Sequence, residues 1–329
     1  MWISWRWKFK QCRRVLYTWA YMTVQGGQPS RIILGSSIAT DTSGFELVAR
    51  LYKQLILETS KDASSKPIVD MSMLQWIDAN MCAPLGAVLV RGAISFGGLS
   101  IVQPNSSRVK DIINRNGFIP TLLGTQKPRD YAGTTIEFKI FESSTQGERD
   151  FSGHANRILA DRDGLSTSEG LKNHLVRNVL EIFNNSVIHS NSGAGIFACG
   201  QFYPTKHKVR LSISDLGSGI LPRVSQHLKN TSLTSENAIK WAVKKGNTTK
   251  INTPGGLGLG LLHEFITING GQMQIVSGDC LWQYQNGREH CHRLSTPLLG
   301  TSVNITINTG IGAKYSLISE EDFDFSNLF

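Results

Sequence analysis

From Arg31 onward the apolar residues occur alternately in short runs and at helical spacing. Arg31–Leu34 reads as a short strand, and Phe45, Leu47, Val48, Leu51 and Leu55 fall on one face of a helix over Phe45–Leu57. Pro67–Met71 reads as a strand, Cys82–Phe96 as an apolar helix and Leu99–Val102 as a strand. Ser106–Asn116 reads as a helix closed by Gly117 at its C′ position. Residues 125–132 contain Pro128 and no apolar period, which predicts a linker. Beyond it Thr134–Phe141 alternates as a strand, Phe151–Leu159 reads as a short helix and Asp161–Leu165 as a turn. Ser166-Thr-Ser-Glu169 has the form of a capping box for a helix running to about His189, with Leu171, Leu175, Val179 and Ile182 on its apolar face. Val209–Ser214 is a strand with one buried face, and 221–254 is polar and turn-rich with a helix near Ser235–Lys245. A helix opened by Gly255–Gly260 ends at Asn269-Gly-Gly271, and Gln272–Ser277 and Val303–Ile307 complete the pattern as strands. Strands alternating with helices predict an α/β fold.

The 329 residues have room for two ordinary domains. No run of eighteen apolar residues occurs, so no transmembrane helix is expected. Five scattered cysteines argue against a disulfide framework and for a reducing, cytoplasmic setting. The net charge of +9 changes meaning once it is located. Arg6, Lys8, Lys10, Arg13, Arg14 and Arg31 supply six of those charges, and residues 1–40 hold no acid. The folded part is therefore not strongly basic, and no specific nucleic-acid partner is expected. Residues 1–30 form a basic, aromatic tail with Trp2, Trp5, Trp7 and Trp19. Such a composition suits a membrane surface, but it suits a disordered tail, or an extension upstream of a start at Met22, better.

Three polar and glycine-rich clusters carry the chemistry. In Glu181-Ile-Phe-Asn-Asn185-Ser-Val-Ile-His189, Glu181 and Asn185 stand one helical turn apart, and His174 and Asn178 extend the same edge. A carboxylate there can take a proton from an attacking water or hydroxyl. A neutral amide oxygen can ligate Mg²⁺ while phosphate oxygens supply the charge. In Asp215-Leu-Gly217-Ser-Gly219-Ile220 a strand delivers a carboxylate to a glycine turn. In Gly255-Gly256-Leu-Gly258-Leu-Gly260-Leu261 glycines open a helix, where backbone N–H groups favour phosphate. It has neither a Gly-Lys-Ser/Thr sequence nor a preceding strand, so it is not a Walker loop or a Rossmann turn.

Together and in this order, the clusters resemble the ATP site of the gyrase, chaperone, histidine-kinase and mismatch-repair superfamily, the GHKL ATPases. The resemblance spans 133–312 and implies a Bergerat-type α/β sandwich that binds ATP and Mg²⁺. It implies Glu181 as base, Asn185 as Mg²⁺ ligand, and Asp215 as acceptor for the adenine amino group beside Gly217 and Gly219. Gly256, Gly258 and Gly260 would approach the phosphates, and Thr301 would lie near the adenine. Residues 221–254 occupy the place of the family's lid, where Lys244, Lys245, Thr248, Thr249 and above all Lys250 could meet phosphate. The Glu-x3-Asn-x3-His form is most similar to that of anti-sigma-factor serine kinases.

Residues 31–124 resemble a STAS domain, the fold of anti-anti-sigma factors, a mixed sheet with helices. Ile68-Val-Asp70-Met-Ser-Met-Leu-Gln-Trp-Ile-Asp78, Leu99-Ser-Ile-Val102 and Ser107-Arg-Val-Lys-Asp-Ile-Ile-Asn-Arg-Asn-Gly117-Phe118 carry that likeness. It implies a protein partner. Ala79-Asn80 stands where those factors place a phosphorylatable serine after the aspartate, and Ala79 has no hydroxyl to accept phosphate. Residues 313–329 read as a C-terminal tail, and a homodimer stays open.

Cys280, His290, Cys291 and His292 lack the spacing of a zinc site. His154 and His174 lack the acidic residue and proline of a histidine-kinase phosphoacceptor. Three activities remain: a serine/threonine kinase acting on a separate partner, an ATPase switch, and an ATP-binding module without turnover.

Overall fold

A computed structural model describes residues 30–61, 66–159, 169–189, 193–249 and 258–309. The fold is mixed α/β. Its first part runs β1 (Arg31–Ile33), β2 (Ser37–Ile38), α1 (Thr42–Lys61), β3 (Ile68–Asp70) and β4 (Trp76–Ile77). A one-turn 3₁₀ helix over Ala79–Met81 leads into α2 (Cys82–Ser95), followed by β5 (Ser100–Val102), α3 (Ser107–Arg115) and α4 (Phe118–Leu123). The second part runs β6 (Thr135–Phe141), α5 (Thr145–Leu159), α6 (Glu169–His189), β7 (Ile196–Tyr203), β8 (Lys208–Asp215), α7 (Leu221–Leu228) and α8 (Ser235–Val243). It ends with α9 (Gly258–Asn269), β9 (Gln272–Gln285) and β10 (Arg288–Asn308).

In the first part β1, β3 and β5 form a three-stranded sheet with β3 central, and β2 pairs β4. All these pairings are parallel, where a mixed sheet was expected. In the second part five strands run in the order β6-β7-β8-β10-β9, every neighbour antiparallel. Strand β7, both hairpin arms of β9 and β10, and helices α4 and α7 are additions to the sequence-derived pattern. Helices α1 and α5 are longer than their apolar periods indicate. The expected turn at Asp161–Leu165 and the cap residue Ser166 lie outside the described residues.

The side chains of the five-stranded sheet alternate between two faces. One face carries Leu211, Ile213, Ile275 and Val303, which join Val179, Ile182 and Phe183 of α6 and Phe265 of α9 in one apolar cluster. There Phe183 stacks on Phe151 of α5 at 4.3 Å and meets Phe141 edge-on at 5.6 Å. The other face carries Phe197, Cys199 and Val276, which share a second cluster with Val88 and Leu89 of α2 and Phe118 of α4. The first part thus lies directly on this second face. Helix α2 explains why its sequence is apolar all round: Cys82 through Val90 are all buried. Gly86 lets it come close, since a Cβ there would stand 2.5 Å from the Phe138 ring of β6.

The segment read as a linker is tied at its end. Asp130 accepts from Arg115 at 2.8 Å and from the backbone and hydroxyl of Thr135 at 2.7 Å. Those bonds hold the Asp130 carboxyl below its ordinary range against the opposing effect of burial.

Candidate functional site

The cleft forms where helices stand away from the first face of the sheet. Strand β8 has buried residues along nearly its whole length, and it ends by carrying Asp215 to the edge of that face, in the same alternation as Leu211 and Ile213. Thr301 of β10 sits opposite Asp215 in register. Helix α6 passes over this end. Val179, Ile182 and Phe183 anchor it in the core, which turns Glu181, Asn185 and Ser186 toward the gap. The cleft, counted to its open mouth, encloses about 850 Å³.

Asp215 is 4% exposed. Gly217 N–H donates to its Oδ1 at 2.9 Å, and the Ser186 hydroxyl and the Thr301 N–H also donate to the carboxylate. Burial nevertheless dominates and pushes its pKa up to about 6, against the pull of these donors and of nearby Arg223. The turn after Asp215 needs glycine. Gly219 has φ +74°, and a Cβ there would stand 2.8 Å from Ser277 Oγ. Gly300, φ +80°, stands against the chain at Asp215, where a Cβ would come within 2.1 Å of the Asp215 carbonyl oxygen. The two glycines let the β8 and β10 ends close on each other.

Glu181, Asn185, Asp215, Gly219 and Thr301 therefore border one cleft, although they come from three separate segments. Gly217 contributes its N–H to Asp215 just behind the wall. Thr248 and Thr249 also border it. Gly260 does not: it is where α9 packs on Lys245, whose Cα would be 2.7 Å from a Cβ at Gly260. Lys245 itself pairs with Glu264 at 2.9 Å. Helix α9 opens at Gly258. Lys250 and Gly256 lie outside the described residues.

Among the lining residues, Ser186, Arg223, Trp241 and Asn247 were given no role by the sequence reading. Arg223 had a signal, since Pro222 marks the first turn of a helix and places Arg223 in it. Trp241 and Asn247 had none, because only the folding back of α8 brings them to the cleft.

The donor set suits Mg²⁺ bound to a polyphosphate. Asn185 offers a neutral oxygen one turn from the Glu181 carboxylate, and it would hold Mg²⁺ only with phosphate and water supplying the other ligands. No group of three or more His, Cys, Asp or Glu residues that could hold a metal occurs among the described residues. Cys280 and Cys291 lie next to each other on β9 and β10, and burial pushes the Cys280 thiol up to about 12. Strand alternation puts His290 and His292 on the opposite side from Cys291. His154 is 3% exposed beside the Phe141 and Phe151 rings, and burial pushes its pKa down to about 3. Among the described residues no helix is long and apolar enough to cross a membrane. A scan against protein-family models and a search of curated proteins return no match for this chain.

Proposed function

We infer that the chain is a Mg²⁺-dependent, ATP-binding regulatory protein of the GHKL type, joined to a STAS-like unit, and that it transfers the γ-phosphate to a hydroxyl on another protein. One observation carries the reading: a single cleft gathers Glu181, Asn185, Asp215, Gly219 and Thr301. An antiparallel five-stranded sheet with helices over one face agrees with a Bergerat-type sandwich.

In this reading the Asp215 carboxylate receives the exocyclic amine of adenine. Guanine presents a carbonyl at that position, which a carboxylate repels. Asn185 holds Mg²⁺, which neutralises the polyphosphate. Glu181 takes the proton of the attacking hydroxyl. The acceptor belongs to another molecule. Ala79 has no hydroxyl, is 1% exposed, and sits in the turn against the sheet face opposite the cleft.

The test is to incubate the full chain with γ-labelled Mg-ATP, alone and with cell extract. Acid-stable label on an extract protein, lost with Glu181→Gln while ATP still binds, is the expected result. Free phosphate from the protein alone, equally dependent on Glu181, would replace the kinase reading with an ATPase switch. ATP binding with neither product leaves only a binding module. No ATP binding at all overturns the site assignment.

A further inference from the structure

Among the described residues one aromatic side chain borders the cleft, Trp241. Helix α8 is anchored without it, since Ala238, Ile239 and Val243 are its buried contacts with the core. Trp241 stays half-buried. Its place at the rim of the cavity leaves part of the indole open to the cleft, where a ligand could meet it. Its surroundings fix it there. The His227 ring of α7 backs it at 5.4 Å between centroids, inclined by 48°. Asn247, also in the cleft wall, donates its side-chain amide to the Trp241 carbonyl at 2.9 Å.

The cleft then holds two different kinds of group that a nucleobase can use. The buried carboxylate of Asp215 can read a base edge through hydrogen bonds. It offers nothing to the flat faces of the ring. Trp241 offers a plane, and any purine or pyrimidine can stack on one. Ile220, Val224 and Leu259 line the same cleft and keep its wall apolar. Arg223, which acts on Asp215 through its charge, places α7 beside the same end.

We propose that Trp241 is the stacking wall for the nucleobase, so that affinity is divided between Asp215 at the base edge and the indole at the base face. This rests on the reading of the cleft as an ATP site. It makes Trp241 a ligand contact and not a filler between α7 and α8.

Calorimetric titrations of Mg-ATP and of Mg-tripolyphosphate into the full-length wild type, Trp241→Ala and Trp241→Phe separate these roles. Stacking predicts that Trp241→Ala weakens ATP binding about tenfold or more. Trp241→Phe should recover most of that loss, and tripolyphosphate, which has no base, should bind all three proteins alike. A drop in tryptophan fluorescence on adding ATP to the wild type should be much smaller in Trp241→Phe. Wild-type ATP affinity in Trp241→Ala overturns the proposal, as does an equal loss for ATP and tripolyphosphate, which would mark a scaffold residue. If Trp241→Ala fails to fold, the Phe variant decides: an unchanged fluorescence drop overturns the proposal and its disappearance supports it. A wild type that binds no ATP overturns the ATP reading itself, and this proposal with it.

Discussion

The two faces of the five-stranded sheet are built from the same strands and come to opposite ends. On β8, Leu211 and Ile213 point to the cleft face, while Ser212 and Ser214 point to the first part of the chain. The second face, polar at Ser212 and Ser214 and apolar around Phe197 and Val276, is the one that the first part of the chain covers. Asn80 donates to Ser212 at 2.9 Å, Ser212 donates to Asn304, and Ser214 and Ser302 bond to each other at 2.8 Å. Around that ladder Thr40 bonds Asp78, Gln274 reaches the Thr40 carbonyl, and Arg210 pairs with Asp78. The first face, which on β8 carries Leu211 and Ile213, is left partly open at the Asp215 end. Polar strand residues can be covered when a fixed partner bonds most of them, although Asn304 Nδ2 is buried there without a partner. An apolar face can stay open when its helices are anchored elsewhere and a ligand completes it.

The largest effects should appear where the open face holds its buried carboxylate. Asp215→Asn replaces an acceptor of several N–H and O–H donors with a group that also donates. In the ATP reading this weakens ATP binding by about tenfold to hundredfold, measurable by calorimetry. Its effect on stability should run the other way. A carboxyl whose folded pKa is raised to about 6 from 3.8 contributes stability that is complete below pH 3.8 and is lost as the pH rises through about 6. The loss is at most about 3 kcal/mol. Asp215→Asn should therefore flatten the pH dependence of urea unfolding between these limits. A mutant with the slope of the wild type would mean that Asp215 is not held in a dry environment.

The closed face is tested at Gly86. Gly86→Val drives a side chain into the Phe138 ring, and overpacking of this kind costs roughly 1–3 kcal/mol. If the first part and the sheet are one cooperative body, urea unfolding stays a single transition at lower denaturant. Two transitions, with ATP binding surviving the first, would show that the cover comes away by itself.

The sequence showed this layout unevenly, for physical reasons. Helix α1 was legible because it buries one side, and strand β8 because Val209, Leu211 and Ile213 alternate with Arg210, Ser212 and Ser214 although nearly all of it is buried. Strand β7 was not, because its first five residues are all buried and the alternation is lost. The β9–β10 hairpin had a signal at Asn286-Gly287, both at positive φ as a tight hairpin turn requires. The neighbouring Cys and His residues instead invited a question about zinc. The cleft residues that stood in local motifs, Glu181, Asn185 and Asp215, could be named in advance. Trp241 and Arg223 are joined to them only through the packing of α7 and α8. The covering of one sheet face by residues 31–124 is likewise a long-range fact. Its nearest local sign is the unbroken apolar run Cys82–Val90 of α2, which needed a second surface to bury against.

The smallest predicted effect is also the most specific to the comparison. Asn80 follows Ala79 in the one-turn 3₁₀ helix, and it bridges the two parts of the chain. Its Nδ2 donates to Ser212, and its Oδ1 accepts from Thr40 at 3.1 Å. Asn80→Ala removes both bonds but leaves Ser212 its acceptor, Asn304. Loss of a buried hydrogen-bond partner costs about 1–2 kcal/mol. Asn80→Ala should lower stability by that amount, and Asn80→Ala with Ser212→Ala should cost less than the sum of the two, because each deletes the other's partner. ATP affinity should stay unchanged, since Ser212 and Asp215 point to opposite faces of the sheet. If Asn80→Ala altered ATP binding as strongly as stability, the faces would be coupled through β8, and the sealed side would be part of the nucleotide site's control.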